Sequence, residues 1–202
     1  MTADIASVLY ELLSTRRSVR QFLTAGIPGE DIDFVLRAGC LAPSGANFQP
    51  WLVGVITDPG LKKRIRLASE EADARWNSER QDWFKAWLKH QCIEPESKPF
   101  LEQAPVLLVV FGNTLAPYWL ESVWICISYM LLAAHARGLG SLPYTPGYPG
   151  FLNEILSVPE KYSPQAILPL GRPDGIPDGA QRPRRPVEDS IFRNIYAGPE
   201  SS

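Results

Sequence analysis

The sequence predicts an α+β domain, because helical and strand-like segments are mixed along the chain without regular alternation. Two apolar runs, WLVGVIT at residues 51–57 and PVLLVVF at residues 105–111, are typical of buried strands. Residues 118–137 are apolar on most sides of a helix, which indicates a helix buried in the middle of the domain. A doubly wound parallel sheet would need strands and helices that alternate regularly.

The N-terminal half predicts three helices. Apolar residues spaced at i, i+3, i+4 over residues 5–13 predict the first. Pro28 and the acidic residues after it begin a second helix, which ends near Gly39 and is followed by the loop APSGANFQPW. Asp58 is the expected cap of a third helix, with Pro59 at its first position.

The C-terminal half is expected to hold a cover, a buried helix and a last strand. Residues 70–100 combine aromatic and charged side chains and are predicted to form an active-site cover. The buried helix ends at Gly138, the loop GSLPYTPGYPG follows it, and residues 151–156 form a short helix. AILPLGRP is the last predicted strand, and residues 191–196 are too apolar for a solvated tail.

The composition of the chain limits the classes of protein to which it can belong. The 202 residues form one domain, residues 1–202, with a formal net charge of −2 and a pI of about 5.8, so a nucleic-acid partner is not expected. Three cysteines stand far apart without a CxxC pair, which is typical of reduced thiols in a cytoplasm. The first residues include no apolar leader, and no long apolar run lacks polar interruption. We therefore expect a cytoplasmic protein without a membrane partner.

One local feature departs from this mildly acidic background. Arg16, Arg17 and Arg20 surround Ser18 within the stretch STRRSVRQF, and prolines flank a second cluster, Arg182, Arg184 and Arg185. One interpretation is a solvated helix end, where cations interact favourably with the helix dipole. The other is a dianion site, because converging guanidinium groups and a hydroxyl match a phosphate monoester.

Other chemistries find little support in the sequence. The two histidines, His90 and His135, have no cysteine or carboxylate at metal-ligand spacing, so no metal site is expected. His135 is interpreted as a packed or hydrogen-bonded core residue, and Cys40 as an inert buried thiol. The sequence contains no GxSxG, no GxGxxG and no phosphate-binding P-loop motif.

The order of several motifs resembles the nitroreductase family of FMN-dependent oxidoreductases. RRSVRQF is followed by APSGANFQPW, then by GLGS and YTP, and finally by LPLGRP and RRP. The likeness spans nearly the whole chain and is greatest to the iodotyrosine deiodinase branch, to which residues 58–105 align without a gap. It implies an α+β nitroreductase-like fold with a central mixed, mostly antiparallel sheet flanked by helices. It also implies a homodimer with FMN at the subunit interface.

The resemblance further implies which residues bind FMN. Arg16, Arg17 and Ser18 would hold the phosphate and the pyrimidine edge, and Arg20 the phosphate. The remaining implied FMN-binding residues are Val19, Pro43, Ser44, Pro143, Tyr144, Thr145 and Arg184.

Thr145 has a separate physical argument. Flavin reactivity depends on the hydrogen-bond donor at N5, and Pro146 has no N–H to offer. If the PYTPG loop faces N5, the donor is Thr145, through its hydroxyl or its amide. In the resembled branch a threonine hydroxyl does this and favours one-electron steps, so Thr145 is the predicted catalytic residue. Without the resemblance, the PYTPG sequence predicts an ordinary turn whose backbone is fixed by proline.

The resemblance also implies a substrate subsite in the cover. The glutamate, tyrosine and lysine with which the resembled deiodinases bind an amino-acid zwitterion become Asp73, Asn77 and Lys98 here. The backbone around Ala46 would meet a phenolate. The change from tyrosine to Asn77 argues against halotyrosine itself, while a zwitterionic or phenolic aromatic still fits.

The leading hypothesis is an FMN-dependent oxidoreductase that reduces small aromatic substrates, including reductive dehalogenation of halophenols or halotyrosines. NAD(P)H or a partner reductase would supply the electrons. The alternatives are an NAD(P)H-dependent nitro or quinone reductase, an FMN-dependent oxidase, and a flavin-binding protein without enzymatic activity.

Overall fold

The structure is a computed structural model that describes residues 4–84, 86, 97–175 and 184–196. Trp87, His90, Cys92, Arg182 and most of the second half of the predicted cover lie outside these residues. The helices are α1 (Ile5–Thr15), α2 (Gly29–Cys40), α3 (Pro59–Ser78), α4 (Phe100–Gln103), α5 (Trp119–Ala136) and α6 (Phe151–Leu156). The strands are β1 (Trp51–Ile56), β2 (Val106–Asn113) and β3 (Tyr162–Leu170), and 3₁₀ turns span Gly45–Asn47 and Val187–Asp189.

The three strands form one antiparallel sheet in the order β1-β2-β3. β1 pairs with β2 from Trp51 opposite Gly112 to Ile56 opposite Leu107, and β3 pairs along the other edge of β2. A parallel contact is present as an isolated bridge between Ser18 and Ser141. This arrangement confirms the predicted α+β fold. β3 begins at Tyr162, four residues before the predicted AILPLGRP strand.

The core lies on both faces of β2, whose side chains alternate between them. Val106, Leu108 and Val110 join a cluster with α2 and α5, whereas Leu107 and Val109 join one on the other face, against α3, α4 and α6. Helices therefore flank the sheet, as expected. By length and composition alone α5 would be able to cross a membrane, but much of it is buried in the first cluster.

Local signals in the sequence account for the helix starts. Asp4 caps α1 by accepting a hydrogen bond from the amide of Ser7, and Asp58 caps α3 by accepting one from the amide of Leu61 at 2.7 Å. The apolar face of α1, however, is not buried, and the side chain of Ile5 is 85% exposed. Phe192 and Ile195 in the tail are exposed as well. Both segments thus leave apolar surface uncovered in a single chain.

One expectation about the thiols was wrong. Cys40 is exposed, because it is the last residue of α2 and its side chain lies outside the core, whereas Cys126 on α5 is buried. Burial raises the pKa of the Cys126 thiol to about 12, so this thiol stays protonated.

Candidate active site

A cleft forms where α1 ends. The backbone leaves the helix at Arg16, and the amide of Val19 then donates to the carbonyl of Ser141 at 3.2 Å. This contact brings the RRSV stretch against residues 138–141, which follow α5. Between the two segments lies a cavity of about 180 Å³, lined by residues that include Arg16, Arg17, Val19, His135, Gly140 and Ser141. We call it the arginine cleft.

Gly140 allows the two segments of the arginine cleft to approach closely. A Cβ atom at this position would lie 2.7 Å from Cγ1 of Val19, which is nearer than real Cβ atoms approach other heavy atoms. Val19 is buried and cannot easily move aside. Gly140, the second glycine of GLGS, therefore shapes the cleft in addition to following a helix.

The arginine cleft holds polar groups whose hydrogen bonds are not satisfied within the described part of the chain. Nη1 of Arg16 and Oγ of Ser141 are buried without a partner there. Burial, followed by repulsion from Arg184 and Arg17, lowers the pKa of Arg16 from its ordinary value. A buried unpaired polar group costs about 1–3 kcal/mol, more when it is charged. An anion with several acceptor oxygens would relieve both costs, so these residues fit a phosphate.

His135 is a residue of this cleft that the sequence analysis assigned to the core. Its Nε2 lies 2.8 Å from Oγ1 of Thr15. The Thr15 hydroxyl donates to the carbonyl of Glu11 at 2.6 Å, so Thr15 accepts from an Nε2–H of His135. Burial, then Arg16 and Arg17, lower the pKa of His135, which favours the neutral ring. Its position in the last turn of the helix that leads into GLGS was the available signal.

The APSGA loop is ordered by its own hydrogen bonds. Oγ of Ser44 accepts from the amide of Gln49 at 3.0 Å, and the amide of Gly45 donates to Oγ of Ser122 on α5. Ala46 is exposed in the left-handed region with φ 48°, and Pro43 is exposed beside this loop. None of Pro43, Ser44 and Ala46 lines the arginine cleft of the same chain.

The PYTPG loop continues from the arginine cleft. The backbone of Tyr144 pairs with Ile167 of β3 in both directions, at 3.0 and 2.8 Å. Thr145 is exposed, Pro146 is buried, and the amide of Gly147 donates to Oδ1 of Asp73 at 2.9 Å. The exposed Thr145 thus stands between two anchored neighbours.

Asp73 and Lys98 lie together beneath this loop. The hydroxyl of Tyr144 donates to Oδ2 of Asp73 at 2.8 Å, and Nζ of Lys98 lies 3.4 Å from the same oxygen. The side chains of Lys98 and Asp73 are only 8% and 15% exposed. Burial and the Asp73 carboxylate raise the pKa of Tyr144, so it remains a hydrogen-bond donor. We call Asp73, Lys98, Tyr144 and Gly147 the Asp73 network.

The structure thus gathers the predicted residues into groups. Arg16, Arg17 and Val19 line the cleft, Ser18 bridges to Ser141, and Arg184 is close enough to Arg16 to lower its pKa. Pro143, Tyr144 and Thr145 follow the cleft along the chain. Arg20 is exposed, and Asn77 lies one turn beyond Asp73 on α3. Ser141 and His135 are two polar cleft residues that sequence reasoning missed.

Comparisons with known proteins agree with this arrangement. The profile of the nitroreductase family matches residues 13–172. The iodotyrosine deiodinase of Thermotoga neapolitana is 37% identical over 188 residues, covering 92% of this chain and 97% of that protein. The iodotyrosine deiodinase of Haliscomenobacter hydrossis is 36% identical, covering 81% of this chain and 78% of that protein.

Solved structures give the same picture. An oxidized iodotyrosine deiodinase bound to FMN and 3-iodo-L-tyrosine superposes with a TM-score of 0.80 at 36% identity, covering 96% of this chain and 99% of that one. An FMN-dependent nitroreductase from Clostridium difficile shares the fold, with a TM-score of 0.72 at 22% identity, over 93% of this chain and 99% of its own.

Proposed function

The chain belongs to the nitroreductase family, and from this premise we propose that it is an FMN-dependent oxidoreductase that removes halogen reductively from a small aromatic substrate. Its similarity to iodotyrosine deiodinases extends over nearly its full length, which favours dehalogenation of a halophenol or a halotyrosine. The observation that carries the proposal is the buried Nη1 of Arg16, which has no partner within the described part of the chain and stands beside further cations. Such a group fits the phosphate of FMN.

The residues of the arginine cleft would hold the FMN. Arg16 and Arg17, with Arg20 and Arg184, would neutralise the phosphate, and the hydroxyl of Ser141 would add a donor. Ser18 and Val19 would fix the pyrimidine edge through the strand-like backbone that bridges to Ser141. The further residues proposed to line the flavin are Pro43, Ser44, Pro143, Tyr144 and Thr145.

The reaction replaces a carbon–halogen bond by a carbon–hydrogen bond. The halide leaves, and the ring carbon receives two electrons and one proton. FMN, when bound, supplies the electrons. Thr145 would donate a hydrogen bond to the flavin from its exposed side, since Pro146 has no N–H. The backbone around Ala46 would receive the phenolate oxygen, and the cover at residues 70–100 would exclude water from the substrate.

A homodimer is part of this proposal. Residues on α1 and in the tail, including Ile5 and Phe192, expose apolar side chains that a second copy would bury. The loop that carries Pro43 and Ser44 does not line the cleft of its own chain, so an interface would bring it to the cleft of the partner. Sedimentation at micromolar concentration should give twice the 22.5 kDa chain mass, and a monomer would overturn this part of the proposal.

The proposal also includes a single-domain protein located in the cytoplasm. Its electrons would come from NAD(P)H or from a partner reductase. The test measures iodide released anaerobically from 3-iodo-L-tyrosine and 2-iodophenol by the FMN-loaded protein, with dithionite or NADPH as reductant. Release with dithionite supports dehalogenation, and release with NADPH identifies the direct donor. No FMN binding, or no iodide from either compound, contradicts the proposal. Turnover of nitrobenzene or a quinone without iodide release would establish the alternative reductase activity.

A further inference from the structure

The Asp73 carboxylate joins three elements of the protein. It lies on α3 and accepts hydrogen bonds from the Tyr144 hydroxyl and the Gly147 amide, which belong to the loop after the arginine cleft. It also pairs with Lys98, two residues before α4. Both carboxylate oxygens therefore have protein partners. The side chain of Asp73 is only 15% exposed beneath these three donors, which leaves little room for an incoming ammonium group.

Lys98 is also fixed by contacts with the rest of the protein. Its backbone amide donates to Oε1 of Glu70 at 2.6 Å, and its ammonium group is buried beside Asp73. The two side chains that the family resemblance assigns to a substrate zwitterion thus satisfy each other. A charged ammonium or carboxylate would have to displace a buried ion pair in order to bind them.

The loop between Tyr144 and Tyr148 is tied to α3 at more than one point. Gly147 packs so closely against Trp76 that no Cβ would fit. The Tyr148 hydroxyl donates to Glu79, and the guanidinium of Arg75 lies 4.8 Å from the centre of the Tyr148 ring. These contacts fix the segment after the exposed Thr145, and the hydrogen bond from Tyr144 to Asp73 fixes the residue before it. The position of Thr145 therefore depends on α3, and most directly on Asp73.

We propose that Asp73 is a positioning residue, which holds Thr145 in place through Tyr144 and Gly147, and that the aromatic substrate is recognised without an ion pair to Asp73. The preferred substrate class is then a halogenated phenol that needs no amino-acid group. This inference rests on the proposed function for its substrate class, whereas the positioning role can be measured without turnover.

The kinetic test compares Tyr144→Phe, Asp73→Asn and the double variant with the parent enzyme, on 2-iodophenol and 3-iodo-L-tyrosine with dithionite. Each single variant should lower kcat about tenfold on both compounds, because Thr145 is less well placed. The ratio of the two KM values should stay unchanged, and the double variant should be no slower than Asp73→Asn. Matched controls are Tyr162→Phe and Asp33→Asn, which lie outside the network.

The second readout is amide hydrogen exchange of residues 144–148 in the FMN-free protein. Exchange should accelerate in Tyr144→Phe and Asp73→Asn and stay unchanged in both controls. Tyr144→Phe removes a single oxygen atom, so it keeps the test decisive if Asp73→Asn fails to fold.

Three outcomes would overturn the inference. A KM for 3-iodo-L-tyrosine that rises in Asp73→Asn but not in Tyr144→Phe would show that Asp73 binds the substrate directly. A parent enzyme that releases iodide from 3-iodo-L-tyrosine but not from 2-iodophenol would overturn the substrate class. Unchanged exchange in both variants would overturn the positioning role. Release from neither compound would remove the substrate class together with the proposed function, while the exchange result would still decide the positioning role.

Discussion

The arginine cleft and the Asp73 network are linked by a single stretch of chain, residues 138–147. They differ in whether their buried polar groups have hydrogen-bond partners. In the cleft, Arg16 stands among other cations, and its Nη1 has no partner in the described part of the chain. In the network, the Asp73 carboxylate meets an ammonium, a hydroxyl and an amide. Buried groups without partners indicate where a ligand binds, and satisfied groups indicate what shapes the site.

Asp73→Ala should have the largest effect on stability. It removes the carboxylate from beside the buried Lys98 ammonium and from the Tyr144 hydroxyl, and breaking one side of a buried ion pair costs about 3–5 kcal/mol. Thermal denaturation of the FMN-free protein should show a Tm lower by about 10 °C. Asp33→Ala on the exposed face of α2 is the control, and equal effects of the two substitutions would remove the contrast between the regions.

Arg16→Met should have effects of opposite sign on binding and on stability. Loss of a charge-assisted phosphate contact should weaken FMN binding by about 1.5–3 kcal/mol, measured by flavin fluorescence titration. The FMN-free protein should become more stable by about 1 kcal/mol, because a buried Nη1 without a partner in the described part of the chain is gone. Arg64→Met, on an exposed part of α3, should change neither quantity. Unchanged FMN affinity in Arg16→Met would contradict the phosphate site.

Gly140→Ala tests whether the wall of the cleft is as rigid as the network. The added methyl group would meet Val19 at 2.7 Å, and overpacking of this kind costs about 1–3 kcal/mol. FMN affinity should fall together with the free energy of unfolding, since both depend on the contact between Ser18 and Ser141. Gly29→Ala has open space around it and serves as the control. A Gly140→Ala variant with full stability would show that Val19 can move.

The smallest expected effect concerns pH. The pKa of His135 lies below its ordinary value of 6.5 in the folded protein, so the unfolded chain takes up the proton first as the pH falls. The FMN-free protein should lose stability as the pH decreases from 6.5, and His135→Gln should lose less. A phosphate in the cleft favours the protonated ring, whereas protonation of the phosphate itself, with a second pKa of about 6, weakens its arginine contacts in parent and variant alike. The FMN affinity of the parent relative to that of His135→Gln should therefore rise over the same pH range. Denaturation and FMN titration at pH 7.5 and pH 5.5 measure both effects, and parallel curves for parent and variant would contradict them.

Much of the fold could be predicted because its signals are local. The apolar runs that form β1 and β2, the Asp58 cap of α3 and the apolar length of α5 are each contained within one segment of sequence. The burial of individual side chains was harder to predict from the sequence. Cys40 has apolar neighbours in sequence and is nevertheless exposed, and the apolar stripe of α1 faces outward, because burial depends on what the rest of the chain places against each face.

The sequence by itself determined the α+β class, the strands and helices, and the presence of a cluster of arginines, since hydrophobic periodicity, caps and charge density are properties of short segments. Only the tertiary structure decided that Ser141 and His135 join that cluster, and that Asp73 meets the hydroxyl of Tyr144, 71 positions away. Hydrogen bonds between distant residues depend on how helices pack against the sheet. The pattern of any one segment does not contain that information.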